Sequence, residues 1–367
     1  MPYAHVTGWG MSVPEKVMTN DDLAKIVETN DAWIRERTGI RERRIAAKGQ
    51  TTASLAAEAA INALRVAKLP PAELDLIIVS TSSPEHIFPS TASLVQDRIG
   101  ADHAGAFDLS AACTGFIYAV SMASQSIRSG AIKNALVIGA ETLSRLVDWN
   151  DRTTCILFGD GAGAFVLQAS EQPGGVLSSV LRSDGSGGNL LSVPAGGSAK
   201  PASQATIDAG LHFIHMNGNE VFRFATRVMA AASKEAMDKA NLAVEDVALI
   251  VPHQANFRII QAAARGLKLP MERFMVNIER YGNTSTASIP IAVCEAAEEG
   301  LLSKGDNTVL VGFGAGLTWG SLALQWTGPF AEAEPIRMRR YTRFVWLRSL
   351  MRRIWRRIEG LLWGRKG

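Results

Sequence analysis

Short apolar, β-branched runs alternate with longer runs of helical spacing along most of this 367-residue chain. That is the pattern of an α/β protein whose strands are buried on both faces. In the first half it predicts strands in "LIIVST" (Leu76 to Thr81) and "GAFDLS" (Gly105 to Ser110), a helix from about Cys113 to Ser129, and a strand in "NALVIGAE" (Asn134 to Glu141). The second half follows the same plan. "AELDLIIVSTSS" (Ala72 to Ser83) resembles "VEDVALIVPHQA" (Val244 to Ala255), and "IKNALVIGAET" (Ile132 to Thr142) resembles "GDNTVLVGFGAG" (Gly305 to Gly316). Val79 and Val251 stand 172 positions apart, Gly139 and Gly312 173 apart. A shared offset predicts an internal duplication.

The predicted helix opens on Cys113, among the small residues Ser110, Ala111, Ala112 and Gly115. Unsatisfied backbone N–H groups at a helix start favour a thiolate, so its pKa is expected to fall below about 8.5. Small neighbours allow close approach of a substrate. The alternative is a buried filler, the common fate of a free cysteine; Cys155 in "CILFGDGAGAFVL" and Cys294 in "IPIAVCEAAEEG" fit that role. A nucleophile needs a proton-handling partner. Of the six histidines, His253 stands just past a buried strand in "LIVPHQAN", and Asn283 occupies a Gly-Asn turn in "RYGNTSTASIP". Taken alone, a turn Asn is an ordinary structural residue. The glycines of "FGDGAGA" precede the strand-like "AFVLQAS", and a dinucleotide-binding loop needs a helix there.

With 47% hydrophobic and 20% charged residues, the chain can bury a large core. Three cysteines without CxxC spacing argue against a disulfide framework and a cysteine metal site. The opening "MPYAHVTGWGMSVPEK" lacks the basic-then-apolar run of a signal peptide, and no long uncharged apolar run occurs, so a cytoplasmic location is expected. The net charge of +3 hides an uneven distribution. From Ile336 onward there are eleven basic residues and one acidic residue, Glu359, against 27 basic and 34 acidic residues before it.

Six stretches together resemble the β-ketoacyl-[acyl-carrier-protein] synthase III family: "DAWIRERTGIRERR" (Asp31 to Arg44), "AACTGF" around Cys113, "FGDGAGA" (Phe158 to Ala164), "VPHQANFRI" (Val251 to Ile259), "YGNTSTAS" (Tyr281 to Ser288) and "GFGAGLTWG" (Gly312 to Gly320). The resemblance covers residues 1 to 326. It implies a thiolase fold, two duplicated halves in a five-layered αβαβα sandwich; the halves are expected at 1–172 and 173–327, with a tail at 328–367 beyond them. It implies initiation of fatty acid synthesis by condensation of a short acyl-CoA, acetyl-CoA by default, with malonyl-[acyl-carrier-protein]. The family's triad falls on Cys113, His253 and Asn283. Its oxyanion hole falls on the backbone N–H groups of Cys113 and Ala315, where other members carry Gly for the alanine. No metal or redox cofactor is implied. Trp33 and Arg152 match the pair that sandwiches the CoA adenine, and Asn256 matches a pantetheine contact. Phe88 matches the residue that reaches across a homodimer to close the acyl pocket. Arg223 and Arg258 lie where basic residues face the acidic carrier protein. Two other readings stand beside this one: a related condensing enzyme of polyketide or long-chain acyl metabolism, and a carrier-protein-binding or scaffold subunit without turnover.

The tail departs from the family pattern. From Phe344, residues Leu347, Met351, Ile354, Trp355, Ile358, Leu361 and Leu362 recur at three-to-four spacing, with Arg352, Arg353, Arg356 and Arg357 on the other side. This predicts a basic amphipathic helix. Lying on an anionic membrane surface, with Trp346, Trp355 and Trp363 at headgroup level, suits that pattern. Docking onto the acidic body or onto an acidic carrier protein is the alternative, and no fold element supports nucleic-acid binding.

Overall fold

The computed structural model describes residues 1–329, 347–351, 354–355 and 358–359. The alternation resolves into two large sheets, beside two short two-stranded ones. The first holds β1 (Tyr3–Ser12), β2 (Leu76–Ser80), β3 (Gly105–Leu109), β4 (Asn134–Thr142) and β5 (Asp160–Ser170), in the spatial order β1-β5-β4-β2-β3. The second holds β6 (Gly175–Ser183), β7 (Val247–Pro252), β8 (Asn307–Gly314) and β9 (Thr318–Gln325), in the order β7-β8-β9-β6. In the first, β2 pairs parallel with both β3 and β4, and the pairings β4–β5 and β5–β1 are antiparallel; in the second, β7–β8 is parallel and β8–β9 and β9–β6 are antiparallel. The main helices are α1 (Asp31–Thr38), α2 (Thr52–Ala67), α3 (Thr91–Ile99), α4 (Gly115–Arg128), α5 (Gly218–Lys239), α6 (Phe257–Leu267) and α7 (Ser288–Glu298).

Five layers follow from which faces are apolar. Helices α2 and α3 cover the outer face of the first sheet, where Leu64 and Val95 meet Ile77, Val79 and Leu136. Helices α4 and α7 fill the space between the sheets, where Phe116, Ile117 and Val293 meet Ile78 and Val137 of one sheet and Val251 and Leu310 of the other. Helices α5 and α6 close the far side over Ile250, Val309 and Val311. Strands covered on both faces need apolar residues at every position, which explains the continuous runs in the sequence. Each fully buried Val, Leu or Ile contributes roughly 1.5–3 kcal/mol to holding the layers together.

Register corrects the sequence alignment by one residue. Ile78 lies opposite Val137, and Val251 lies opposite Leu310. The structural equivalent of Val251 is therefore Ile78, and one offset of 173 serves both strands. A strand that is apolar on both faces carries no period-two signal, so likeness alone cannot resolve a slip of one. The halves also differ at one edge: β3 pairs along its length with β2, but at the matching edge of β7, among the described residues, only the isolated bridge between Ile250 and Phe274 forms.

A second correction concerns Cys113. It lies in a single 3-10 turn, Ala112–Thr114, ahead of α4. Ala112 has a φ of 46°, and a left-handed residue breaks the direct path from strand to α-helix.

In the tail, the described residues 347–351, 354–355 and 358–359 are helical. Phe344, Trp346, Arg352, Arg353, Arg356, Arg357, Leu361, Leu362 and Trp363 lie outside the described residues. Among the described residues no helix is long and apolar enough to cross a membrane.

Candidate active site

Chain ends from both halves meet around Cys113. The left-handed backbone at Ala112 costs about 1–2 kcal/mol, and the surroundings hold it in place. Thr318 Oγ1 lies 2.7 Å from Thr114 Oγ1 and donates toward the carbonyls of Ala111 (3.2 Å) and Ala315 (3.0 Å). One threonine thus ties the cysteine turn to the loop after β8. Gly314 permits this closeness, because a Cβ there would stand 2.7 Å from Cys113 N. Cys113, Ala315, Ser285 and Phe158 line a chamber of about 110 Å³, closed by Leu143, Leu191 and Ile214.

His253 directly follows β7, with its backbone N–H donating to Val311 O. Its side chain is buried, and burial lowers its pKa to about 3, so the imidazole is neutral at ordinary pH. Nδ1 lies 2.7 Å from Ser288 Oγ, which itself accepts the Gln254 N–H at 3.3 Å. A hydroxyl that donates to Nδ1 leaves the ring proton on Nε2. Nε2 is buried and has no hydrogen-bond partner among the described residues. Asn283 is pinned to the segment just before β5 by an isolated bridge with Phe158: its N–H donates to Leu157 O, and its carbonyl accepts from Gly159 N–H. Its Oδ1 accepts the Ser285 N–H at 2.8 Å, which leaves the amide NH₂ as the group able to donate elsewhere.

The thiol departs from the expectation of a lowered pKa. Burial, opposed by the Ser285 hydroxyl and reinforced by the charge of Glu141, pushes Cys113 up to about 12. Desolvation outweighs the helix-end effect because the cysteine sits in a 3-10 turn inside the protein, 6% exposed. At rest, therefore, the Cys113 sulfur is a thiol and the His253 imidazole is neutral.

A cleft of about 1010 Å³ lies outside this chamber, lined by Trp33, Arg37, Arg152, His215, Asn256 and Arg258 among others. The two spaces adjoin, since Ile156, Leu157, His215 and Met216 line the cleft and their chain neighbours Phe158 and Ile214 line the chamber. The guanidinium of Arg152 stands 5.1 Å from the Trp33 ring centre, with Arg37 at 4.7 Å. Asn256 caps α6 and donates to Arg37 O at 2.9 Å. Arg258 lies over Phe222 at 5.4 Å. Four of the expected residues, Trp33, Arg152, Asn256 and Arg258, therefore share one cleft. Phe88 and Arg223 line neither space: Phe88 is 84% exposed, and Arg223 is an exposed partner of Glu220.

The family profile described as 3-oxoacyl-[acyl-carrier-protein (ACP)] synthase III matches residues 107–185, and the profile for the C-terminal part of that enzyme matches residues 237–326. The β-ketoacyl-[acyl-carrier-protein] synthase III of Symbiobacterium thermophilum is 55% identical over 321 residues, 88% of this chain and 97% of that one. Its counterpart in Roseiflexus sp. (strain RS-1) is 52% identical over 325 residues, 89% and 99% of the two chains. The chain belongs to the β-ketoacyl-[acyl-carrier-protein] synthase III family. The crystal structure of 3-oxoacyl-[acyl-carrier-protein] synthase III from Aquifex aeolicus VF5 superposes with a TM-score of 0.82 at 48% identity, covering 88% of this chain and all of that one. As a member of the synthase III family the protein is an acyltransferase, the condensing enzyme that initiates fatty acid synthesis, and it has the thiolase fold of that family.

Sequence reading missed several polar groups of the synthase site. Ser288, which orients His253, reads in sequence as one small residue among many. Glu141 is fully buried, yet its carboxylate accepts from Ser82 N–H, Thr81 Oγ1 and Ser83 Oγ; burial pushes its pKa up to about 7. The acid inside the apolar strand "NALVIGAE" was the available signal, since a carboxylate there requires partners. Arg43, also fully buried, donates to Asn20 Oδ1 and Ile156 O and so anchors the cleft wall.

Proposed function

We propose that the protein condenses a short acyl-CoA with malonyl-[acyl-carrier-protein] through an acyl-Cys113 intermediate. The pantetheine arm enters through the cleft, and the adenine inserts between Trp33 and Arg152, a stacking and cation-π seat. Cys113 sulfur attacks the thioester carbonyl, and the oxyanion is held by the backbone N–H groups of Cys113 and Ala315. The C–S bond to CoA breaks, and the thiol proton ends on the departing CoA. The small chamber beside Cys113 suits a short acyl group, acetyl in the simplest case.

Malonyl-[acyl-carrier-protein] then takes the cleft, with Arg223 and Arg258 facing the acidic carrier. Loss of CO₂ leaves an enolate, whose oxygen accepts hydrogen bonds from His253 Nε2 and the Asn283 amide. Its carbon attacks the acyl carbonyl, the Cys113 thiolate leaves and takes up a proton, and 3-oxoacyl-[acyl-carrier-protein] departs. Holding His253 neutral is what makes it a donor that does not protonate the nascent carbanion. The observation that carries this reading is the buried Nε2 of His253, which has no hydrogen-bond partner among the described residues. Such a group costs about 1–3 kcal/mol, and an enolate oxygen would satisfy it. None of these steps calls on a metal or redox group, because decarboxylation drives the condensation.

The active form is read as a homodimer. Ile87 and Phe88 project into solvent at 86% and 84% exposure, and Phe107 on the outer strand β3 is exposed. Exposed apolar residues next to a free sheet edge favour pairing with a second copy, and Phe88 would then cap the partner's chamber.

Intact mass after incubation with acetyl-CoA tests the first step. An acetyl increment on the parent and none on Cys113→Ser is expected. A parent that takes no acyl group from acetyl-CoA or any longer CoA ester would overturn the reading.

A further inference from the structure

The condensation leaves the C-terminal helical segment without a role. Its described residues dock onto the outer layer of the first half, near the end of α3. Arg348 pairs with Asp102, and the buried Ser349 donates from Oγ to Asp97 Oδ2 at 2.8 Å. Opposite Ser349 the helix carries Leu347, Leu350, Met351, Ile354, Trp355 and Ile358, each between 40% and 61% exposed, with Arg348 at the border of that side. Their spacing of three and four puts all six on one stripe. A contiguous run of large exposed apolar side chains marks an interaction surface.

Charge identifies the occupant. The segment from Ile336 to Gly367 carries eleven basic residues and one acidic residue, and on a helix the arginines at 352, 353, 356 and 357 fall off the stripe. A complementary surface must therefore be apolar within and anionic at its rim over the length of a helix. An anionic lipid leaflet offers both in one plane, whereas a second copy carries an excess of only seven negative charges over its first 335 residues.

We propose that this segment is an interfacial helix that seats the enzyme on an anionic lipid surface. The stripe enters the boundary between headgroups and acyl chains, and the basic residues meet the headgroups, each contributing about 1 kcal/mol. The contacts of Arg348 and Ser349 hold the catalytic body against the bilayer, so the anchor is an oriented arm instead of a loose tether.

Flotation with lipid vesicles tests this. The full chain is expected to float with vesicles containing phosphatidylglycerol and to stay behind with pure phosphatidylcholine, with the bound fraction falling about tenfold or more in high salt. Truncation after Pro335 should abolish flotation. So should the full-length double variant Leu350→Asp, Ile354→Asp, whose unchanged melting temperature would show that the body is intact. A full chain that remains in the aqueous fraction with anionic vesicles overturns the proposal. If truncation instead shrinks the oligomer and neither form floats, the stripe is covered by a second copy and the proposal likewise falls.

Discussion

The two halves of this molecule place different residues at equivalent points, and only one of the two resulting pockets is open. With the structural offset of 173, His253 corresponds to Ser80 and Cys113 to Thr286. Of the first pair, His253 and Cys113, the cysteine lines the chamber. The second is closed: Thr286 Oγ1 donates to Ser80 Oγ at 2.9 Å, and both are buried. Even the strained turn is duplicated, with Ala112 at a φ of 46° and Ser285 at 49°. At the next equivalent point Gly314 leaves room against Cys113, while Glu141 fills its place and is bonded by Thr81, Ser82 and Ser83. One scaffold thus builds the same turn twice. Side-chain size and polarity at three points make one copy a site and the other a structural knot.

The sharpest test of that difference is to remove the equivalent polar side chain from each copy. His253→Ala should lower condensation by about 10²–10³-fold, the scale of one lost oxyanion-type donor, whereas Ser80→Ala should leave it within about threefold. Equal losses in kcat/KM for malonyl-[acyl-carrier-protein] would erase the distinction. Gly314→Ala should slow acylation of Cys113 by about 10²-fold, because displacing a nucleophile by about 1 Å has that effect. A normal acylation rate would show that the close approach is unimportant.

Alkylation of Cys113 by iodoacetamide probes the environment that burial creates. With the thiol pushed up to about 12, the thiolate fraction, and so the rate, should climb about tenfold per pH unit through pH 10. A plateau near pH 8 would mean a lowered thiol pKa. Glu141→Gln removes a negative charge near the sulfur and should speed alkylation a few-fold at fixed pH. The smallest effect is reserved for the closed copy: Thr286→Val loses one hydrogen bond, about 1 kcal/mol, and should lower the melting temperature by a few degrees with acylation unchanged.

Much of this was legible in one dimension. Continuous apolar runs announced strands covered on both faces, and their repetition announced two halves. The position of Cys113, His253 and Asn283 at element ends was visible because polar or reactive residues interrupt small and apolar surroundings there. The alternation of leucine, isoleucine and arginine after Phe344 announced an amphipathic helix.

Other properties depended on packing between distant segments. Register between parallel strands shifted the equivalence of Val251 by one residue, since an apolar strand reads the same after a slip. The thiol rose where a helix start would have lowered it, because desolvation is a property of everything packed around the sulfur. Ser288 became the residue that orients His253, and Glu141 became the plug of the closed copy, only when chain segments far apart in sequence came within hydrogen-bond reach. Residue type and local period determined which elements form and which groups can do chemistry. Tertiary structure decided their protonation, their partners and which of two equivalent pockets stays open, because those depend on distance and dielectric surroundings that local sequence does not carry.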